Sequence, residues 1–522
     1  MAISNIEYDF KKYRNTVPDN IDSTGRMVIL GKASDGPVMS PVPVRDPMNI
    51  SSIFGNEDES RLTKAGKIVF LNGVEEVILM RISGKEAEGR LFGLDRNLNV
   101  VDGLKLKSIF GGEKYNEIKI NLNDDSIVFE YEDFEREYKY DEYPTLGTLS
   151  YAINNDANEG LNYIYTHTND NNVKSSSLSV VNDREVTLNG GDDGLDLDKN
   201  DLYIQLENAY SILSDYPAEI FLPIDAYIDD TYPYSYYNVT PFNSGWYANP
   251  KDLSEDRWLT LVEKNGNPCN FGKQLVRFCK KRQDVGLRGV GVIGTKPFYN
   301  DNSSLRDGEF SHISKKLSNP IMKNSFRGIA DNLVLNNLYL LNVVGSDSKT
   351  TYGTYSFEEN GALNYASLLS KLSTDVSPTN KRLENTELAF EYQDQEIEEL
   401  DDMSYVIFRD SIRKGVVPVN GITMASAESG LHYLTSVRTL QGILSRIESF
   451  TDPMIGEPIR TNNNFETIDE EIDEILAEDT NVKDYNYDLT VNDVDGYIEI
   501  RLELSLYYEI NKIKTNVRFN IS

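Results

Sequence analysis

Apolar residues recur at every second position over roughly residues 84–182, and the period switches to every third or fourth position over residues 200–215. In the first stretch, "LKLKSIF", "NEIKINL", "SIVFEYE" and "EREYKYDEY" alternate apolar and polar residues between Gly, Asn and Asp. A period of two sends alternate side chains to opposite faces of a strand, so a small antiparallel β domain with one wet face is expected here. Beyond it, "NDLYIQLENAYSILSD" (200–215) sets Leu202, Leu206, Tyr210 and Leu213 at helical spacing, with Asn200 or Asp201 as the expected N-cap. Strands then take turns with helices. "AEIFLPI" (218–224), "LRGVGVIG" (287–294) and "LYLLNVVG" (338–345) read as strands, and "NFGKQLVRFCKKRQD" (270–284) and "ALNYASLLSKL" (362–372) as helices. Such alternation predicts a layered α/β core with some parallel pairing.

The flanks are different. Residues 1–26 are polar, lack a period and read as an arm. In "MVILGKASDGPVMSPVPVRDP" (27–47), Met27 to Leu30 form a short strand, Gly31 ends it, and the prolines keep the residues beyond it extended. A helix-like stretch runs to about Asn72, and "VEEVILMRIS" (74–83) reads as a buried strand. The long aromatic segment 227–258 reads as a surface contact loop. Near the end, Leu431, Leu434, Val437, Leu440 and Leu444 recur at 3/4 spacing in an amphipathic helix over 430–450, followed by a strongly acidic helix over 467–480. "GYIEIRLELSLYYEINKIKTNVRFNIS" (496–522) alternates for over twenty residues and runs to the end of the sequence. A strand with nothing after it offers an unpaired edge, a hazard in a monomer and a tool in a protein that assembles by strand addition.

Composition narrows the function. The 522 residues suggest about three or four domains. Acidic residues number 84 against 52 basic, a formal charge of −32 that repels phosphate, so nucleic acid is not an expected partner. Tyr is abundant at 32 and Trp rare at 2; tyrosines suit subunit interfaces, low-GC codon usage gives the same enrichment, and composition leaves both open. Cys269 and Cys279 have neither zinc nor CxxC spacing and read as isolated buried thiols of a reducing cytoplasm. The first twenty residues hold no apolar leader core, and no run of about 18 apolar residues occurs, so no stable membrane insertion is expected.

Catalytic patterns are missing. His167, His312 and His432 stand apart from one another and from either Cys, and no HExxH, GxSxG or GxxxxGK[ST] occurs. Gly289, Gly291 and Gly294 have a GxGxxG shape, but two of them fall within the expected strand, and Thr-Lys-Pro after the third blocks the helix that a dinucleotide needs. "LNGGDDGLDLDKND" (188–201) lacks the central Gly and closing Glu of an EF-hand when counted from Asp192; whether this loop takes a cation stays open. "DQEIEELDD" (394–402) reads as a solvated face. No enzyme, cofactor or structural metal is expected.

In order along the chain, several segments resemble those of the tail sheath proteins of contractile phages and related contractile injection machines. "VILGKASDGPVMSPVPV" (28–44) is similar to the family's opening and "IFG" (53–55) to its close. Gly112 and Asn116 in "SIFGGEKYNEIKI" (108–120) match its Gly-x-x-x-Asn strand opener, and "LNGGDDG" (188–194) its GG-x-DG element. "ALNYASLLSKLSTDVSPTNKRL" (362–383) resembles its helix and SP-x-N turn, and 415–447 its strand, turn and V-R-x-L helix. The resemblance runs over about residues 27–522. It implies a multidomain α+β and α/β chain: a tail-sheath-like layered α/β core, an inserted antiparallel β domain and terminal extended arms. The expected parts are an arm (1–26), a first core part (27–83), a β-rich outer insertion (84–186), a continued core (187–380), an inner C-terminal domain (381–508) and an arm strand (509–522).

For function, the resemblance implies a structural subunit that polymerises into helical rings around a tail tube and contracts to drive the tube through a host cell envelope. Its partners would be further copies of itself, the tube protein, and baseplate and terminator proteins, in a virion assembled in the host cytoplasm. Residues 5–24 and 496–522 would join neighbouring sheets. The contact candidates are Tyr8, Phe10, Tyr497, Ile498, Ile500, Leu502, Leu504, Tyr507, Val517 and Phe519, with Arg438 and Arg446 toward a neighbour or the tube. Those two arginines read equally well as ordinary surface or helix-pairing residues. The alternatives are an acidic virion or cell-surface binding module carried by the β insertion, and a soluble α/β enzyme.

Overall fold

A computed structural model describes residues 23–228 except 57, 59 and 133, the pairs 261–262 and 268–269, residues 271–295, 327, 330–331 and 333–334, and 337–507 except 353–354, 390, 452–453, 455–460 and 493–496. These residues form two compact units, the first from 29–67 and 76–213, the second from 23–28, 68–75 and 214 onward.

The first unit holds most of β1 (Met27–Gly31), then β2 (Pro41–Val44), α1 (Ile50–Phe54), most of α2 (Arg61–Leu71) and β3 (Val77–Arg81). Every residue of β1 and β3 is buried, as continuous apolar runs require, and β2 pairs antiparallel with β3 from Pro41↔Met80 to Val44↔Val77. The alternating region then gives two antiparallel sheets. One is β4 (Glu86–Leu94), β5 (Val100–Gly111) and β9 (Ile164–Thr168) in the order β4–β5–β9. The other is β6 (Lys119–Leu122), β7 (Ser126–Tyr131), β8 (Phe134–Lys139) and β10 (Glu185–Thr187) in the order β10–β6–β7–β8. Among these strands the chain also forms α3 (Leu146–Glu159), a helix the alternation does not announce, which places Leu146, Leu149 and Ile153 in one core with Leu104, Ile120 and Phe129. Thr145 and Thr148 cap its start reciprocally, and Gly160 closes it in the left-handed region. The short α4 (Leu178–Val181) and then α5 (Lys199–Ile212) complete the unit.

The expected cap of α5 is corrected. Asn200 and Asp201 sit inside the first turn; the cap is Asp198, whose carboxylate accepts the Asp201 amide at 2.8 Å. Asp198→Ala is expected to cost about 1 kcal/mol, read as faster hydrogen exchange over the first turn of α5.

Three motifs far apart in sequence meet at Arg81, whose side chain is fully buried. Its Nη1 donates to Gly36 O at 3.0 Å and Gly111 O at 2.7 Å, and its Nη2 to Asp193 O at 2.9 Å. Around it Asn116 and Gly191 exchange two bonds, 3.0 Å from Asn116 Nδ2 to Gly191 O and 2.8 Å from Gly191 N to Asn116 Oδ1. Lys85 and Asp192 exchange backbone bonds at 2.8 and 3.0 Å, as do Glu88 and Asn189 at 2.8 and 3.0 Å. The Asp-rich loop is thus stitched to the start of β4 and to the β5–β6 connection. Gly194, at φ +67°, makes a turn where a Cβ would meet the Gly84 amide. Its aspartates serve backbone: Asp192 accepts from Gly194 N, and Asp193 from Glu113 N at 2.9 Å. Among the described residues no cluster of His, Cys, Asp or Glu could hold a metal ion.

The second unit centres on β11 (Ile220–Pro223), β14 (Val290–Gly294) and β15 (Leu341–Val344), joined in parallel. The two-residue strands β12 (Leu261–Val262) and β13 (Pro268–Cys269) pair between them in sequence. All three central strands are wholly buried, and α6 (Phe271–Gln283) and α7 (Ala362–Lys371) pack on them. Cys279 of α6 is buried, and burial pushes its thiol up to about 12. Beside this layer lie a three-stranded antiparallel sheet of β16 (Asp347–Tyr352), β17 (Tyr355–Asn360) and β18 (Thr386–Leu388), the helix α8 (Asp394–Asp402), and a hairpin of β19 (Phe408–Ser411) with β20 (Gly415–Pro418). Open α/β sheets bind ligands beyond the carboxyl ends of their strands. Here two carbonyls just past β14 and at the end of β15 are taken by one of the chain's own side chains. Asn360 Nδ2 donates to Thr295 O at 2.9 Å and Val344 O at 3.2 Å, and Phe408 N donates to Ser346 Oγ at 2.8 Å.

Candidate functional site

The last part of the second unit comprises α9 (Leu434–Thr451), α10 (Thr461–Glu478) and an antiparallel pair, β21 (Val482–Asn492) and β22 (Tyr497–Leu506). Ile468, Ile472, Ile475 and Leu476 line one face of α10 and close a core with Ile443 and Ile447 of α9. The strand pair lies on that core. Its ladder runs from Val482↔Leu506 to Asn492↔Tyr497 with an irregularity between Val482 and Asp484. Tyr485, Tyr487 and Leu489 on β21, and Ile500, Leu502 and Leu504 on β22, pack toward the helices, while Asn486, Asp488, Arg501 and Glu503 are exposed. Two tyrosines pin β21 to α10: Tyr485 donates to Asp473 Oδ1 at 3.2 Å and Tyr487 to Asp469 Oδ1 at 2.8 Å. Burial first, then Asp469, pushes the Tyr487 hydroxyl above its ordinary range, so it stays a donor at any working pH.

A two-stranded ribbon is marginal by itself, so this one depends on α10 beneath it. Among the described residues neither strand has a second neighbour, which leaves both outer backbone edges open. Tyr497 and Ile498 lie in the ladder opposite Asn492 and Val491. The apolar row of Ile500, Leu502 and Leu504 is half-buried on the subunit's own helices, so what faces outward is backbone edge and polar side chains. Tyr507 follows β22 at 59% exposure. Tyr8, Phe10, Val517, Phe519 and nearly all of the aromatic loop 227–258 lie outside the described residues.

The two arginines separate. Arg446 is exposed and donates to Glu478 Oε2 at 2.8 Å, pairing α9 with the last turn of α10. Arg438 is 1% exposed in its side chain, which corrects its expected place on the surface. Its Nε reaches Glu219 Oε1 at 2.7 Å and its Nη2 reaches Oε2 at 3.0 Å, with further bonds to the carbonyls of Leu372 and Ser373. Glu219, also fully buried, accepts the Gly25 amide at 2.6 Å. Burial would push the Glu219 carboxyl up; Arg438, the Gly25 bond and the field of Arg288 outweigh it and hold the group below the usual range.

No protein-family model matches the sequence, and no curated protein does. Solved structures do. The sheath tail protein of Listeria innocua superposes with a TM-score of 0.52 over 93% of each chain, at 12% identity. The fold is that of a sheath tail protein. The sheath tail protein of Desulfitobacterium hafniense gives 0.47 over 95% of this chain and 100% of that one at 10% identity. The contracted helical sheath of the anti-feeding prophage gives 0.48 over 95% and 94% at 8%.

Within this sheath fold the sequence pattern points to the strand pair and misses Glu219 and Gly25. Their signal is a single acidic residue at the head of the apolar run "EIFLPI" and a glycine just ahead of the first strand.

Proposed function

We propose that this chain is a tail sheath subunit, structural rather than catalytic. Copies link into stacked helical rings around a tail tube, between a baseplate and a terminator, and contract to push the tube through a cell envelope, in the tail of a virion or a related injection machine. The observation that carries this reading is the ribbon β21–β22, supported on one face and open at both edges among the described residues. Strands from neighbouring copies, supplied by residues 5–24 and 496–522, would add to those edges through backbone hydrogen bonds. Such joints let subunits tilt while they stay linked. Contraction then needs no nucleotide: the extended array is metastable, and a small gain per subunit sums over many copies.

Negative-stain microscopy of the purified full chain and of a chain lacking residues 496–522 tests it. Long striated tubes are expected from the first and none from the second. A monodisperse monomer from the full chain at high concentration, even with tail tubes supplied, would sink the proposal and return attention to the β insertion as a binding module.

A further inference from the structure

We propose that helix α9 is a tie between the two ends of the chain: it grips the root of the N-terminal arm near its start and carries the strand pair β21–β22 near its end. The inference rests on the sheath reading and adds to it a path for load. Residues 25 and 26 are held from several sides. Gly25 N donates to Glu219 Oε2 at 2.6 Å, the amides of Glu219 and Ile220 donate to Arg26 O at 2.9 and 3.0 Å, and Arg26 Nη1 donates to Pro217 O at 3.0 Å. Gly25 sits at φ +71° against Ser370 O, where a Cβ would come within 2.5 Å, so the chain has little room to shift there. Glu219 passes this grip to α9 through the paired bonds from Arg438.

Further along the same helix, Gln441 bonds both the amide and the carbonyl of Gly289, at 3.1 and 2.8 Å, fixing α9 to the entrance of β14. Ile443 and Ile447 then enter the core beneath β21 and β22. From Arg438 to Ile447 is nine residues, about 14 Å of continuous helix. An α-helix of that length is stiff, with every interior peptide hydrogen-bonded. Tension on the arm therefore reaches the strand pair through one buried ion pair and about two and a half helical turns. The pair suits this use because breaking it strands a charge in the interior.

The test uses full-length Glu219→Met/Arg438→Leu, which removes both charges together and leaves neither buried alone. Amide exchange at Gly25 in the unassembled protein is expected to rise about tenfold, and tubes to become severalfold shorter. Unchanged exchange at Gly25, or tubes of native length from protein whose Gly25 has loosened, would overturn the tie. If the double variant does not fold, Gly25→Ala sets a Cβ against Ser370 O at a left-handed position while keeping the amide and leaving Glu219 and Arg438 in place, and the same two readouts, exchange at residue 25 and tube length, apply. Deletion of residues 1–22 separates the failures. Native tubes from that chain overturn strand linkage by the arm, while exchange at Gly25 in the double variant still decides whether Glu219 and Arg438 hold the root.

Discussion

Arg81→Ala is expected to destabilise the first unit by about 2–6 kcal/mol, since two buried carbonyls lose their donor at roughly 1–3 kcal/mol each and a third, half-buried one adds less. Those carbonyls belong to Gly36, Gly111 and Asp193, so one change loosens three loops at once. Burial pulls the guanidinium's own affinity for its proton down, and the carboxylates of Asp35 and Asp193 act against that. Arg81→Lys should recover only part of the loss, because an ammonium on a flexible stem does not reproduce the fork that spans three acceptors. The measurement is hydrogen exchange over residues 85–89 and 189–194, whose backbone bonds close the clasp. Native protection there in Arg81→Ala would show that the clasp holds without its centre.

Acid is expected to weaken the second unit at Glu219. Its carboxyl is held below the ordinary range in the folded chain. The stability this contributes is therefore complete above the unfolded value, near 4.3, and is lost as pH falls through the folded value. Urea midpoints should drop below about pH 4.3 more steeply in the native chain than in Glu219→Met/Arg438→Leu. Glu219→Ala alone, which leaves Arg438 buried without its carboxylate, should cost about 3–5 kcal/mol at neutral pH. Parallel pH profiles for the native chain and the double variant would rule Glu219 out as the source.

Sequence pattern reaches the elements whose burial is one-sided or complete. The strands at Met27, Val77, Ile220, Val290 and Leu341 are largely apolar runs, and α5, α6, α7 and α10 announce themselves by spacing or charge. It fails where polar residues do structural work. The helix α3 is hidden because "LGTLSYAINNDANE" is rich in Asn and small residues, although Leu146, Leu149, Ile153 and Ala157 keep helical spacing between a Thr cap and a Gly stop. On α9 the leucines mislead: Leu440 and Leu444 are half-buried, while Arg438, Thr439 and Gln441 are buried. A charge inside an amphipathic helix reads as surface unless its partner is known, and Glu219 lies 219 residues away. The strand pair is legible because alternation over β22 is strict; that its apolar row faces its own helices required the fold.

That alternation has a mechanical consequence. With Ile500, Leu502 and Leu504 committed to one face, a neighbouring strand can dock only where its own apolar side chains fall on the same face. A slip of one residue turns the whole row into water. Allowed positions are therefore spaced two residues apart, about 6.8 Å along the strand. A lattice built from such joints, as the proposed sheath would be, is indexed like a toothed rack: each link would pivot without creeping. In the proposed sheath, length change would therefore come from the angle at each joint and not from strands sliding past one another.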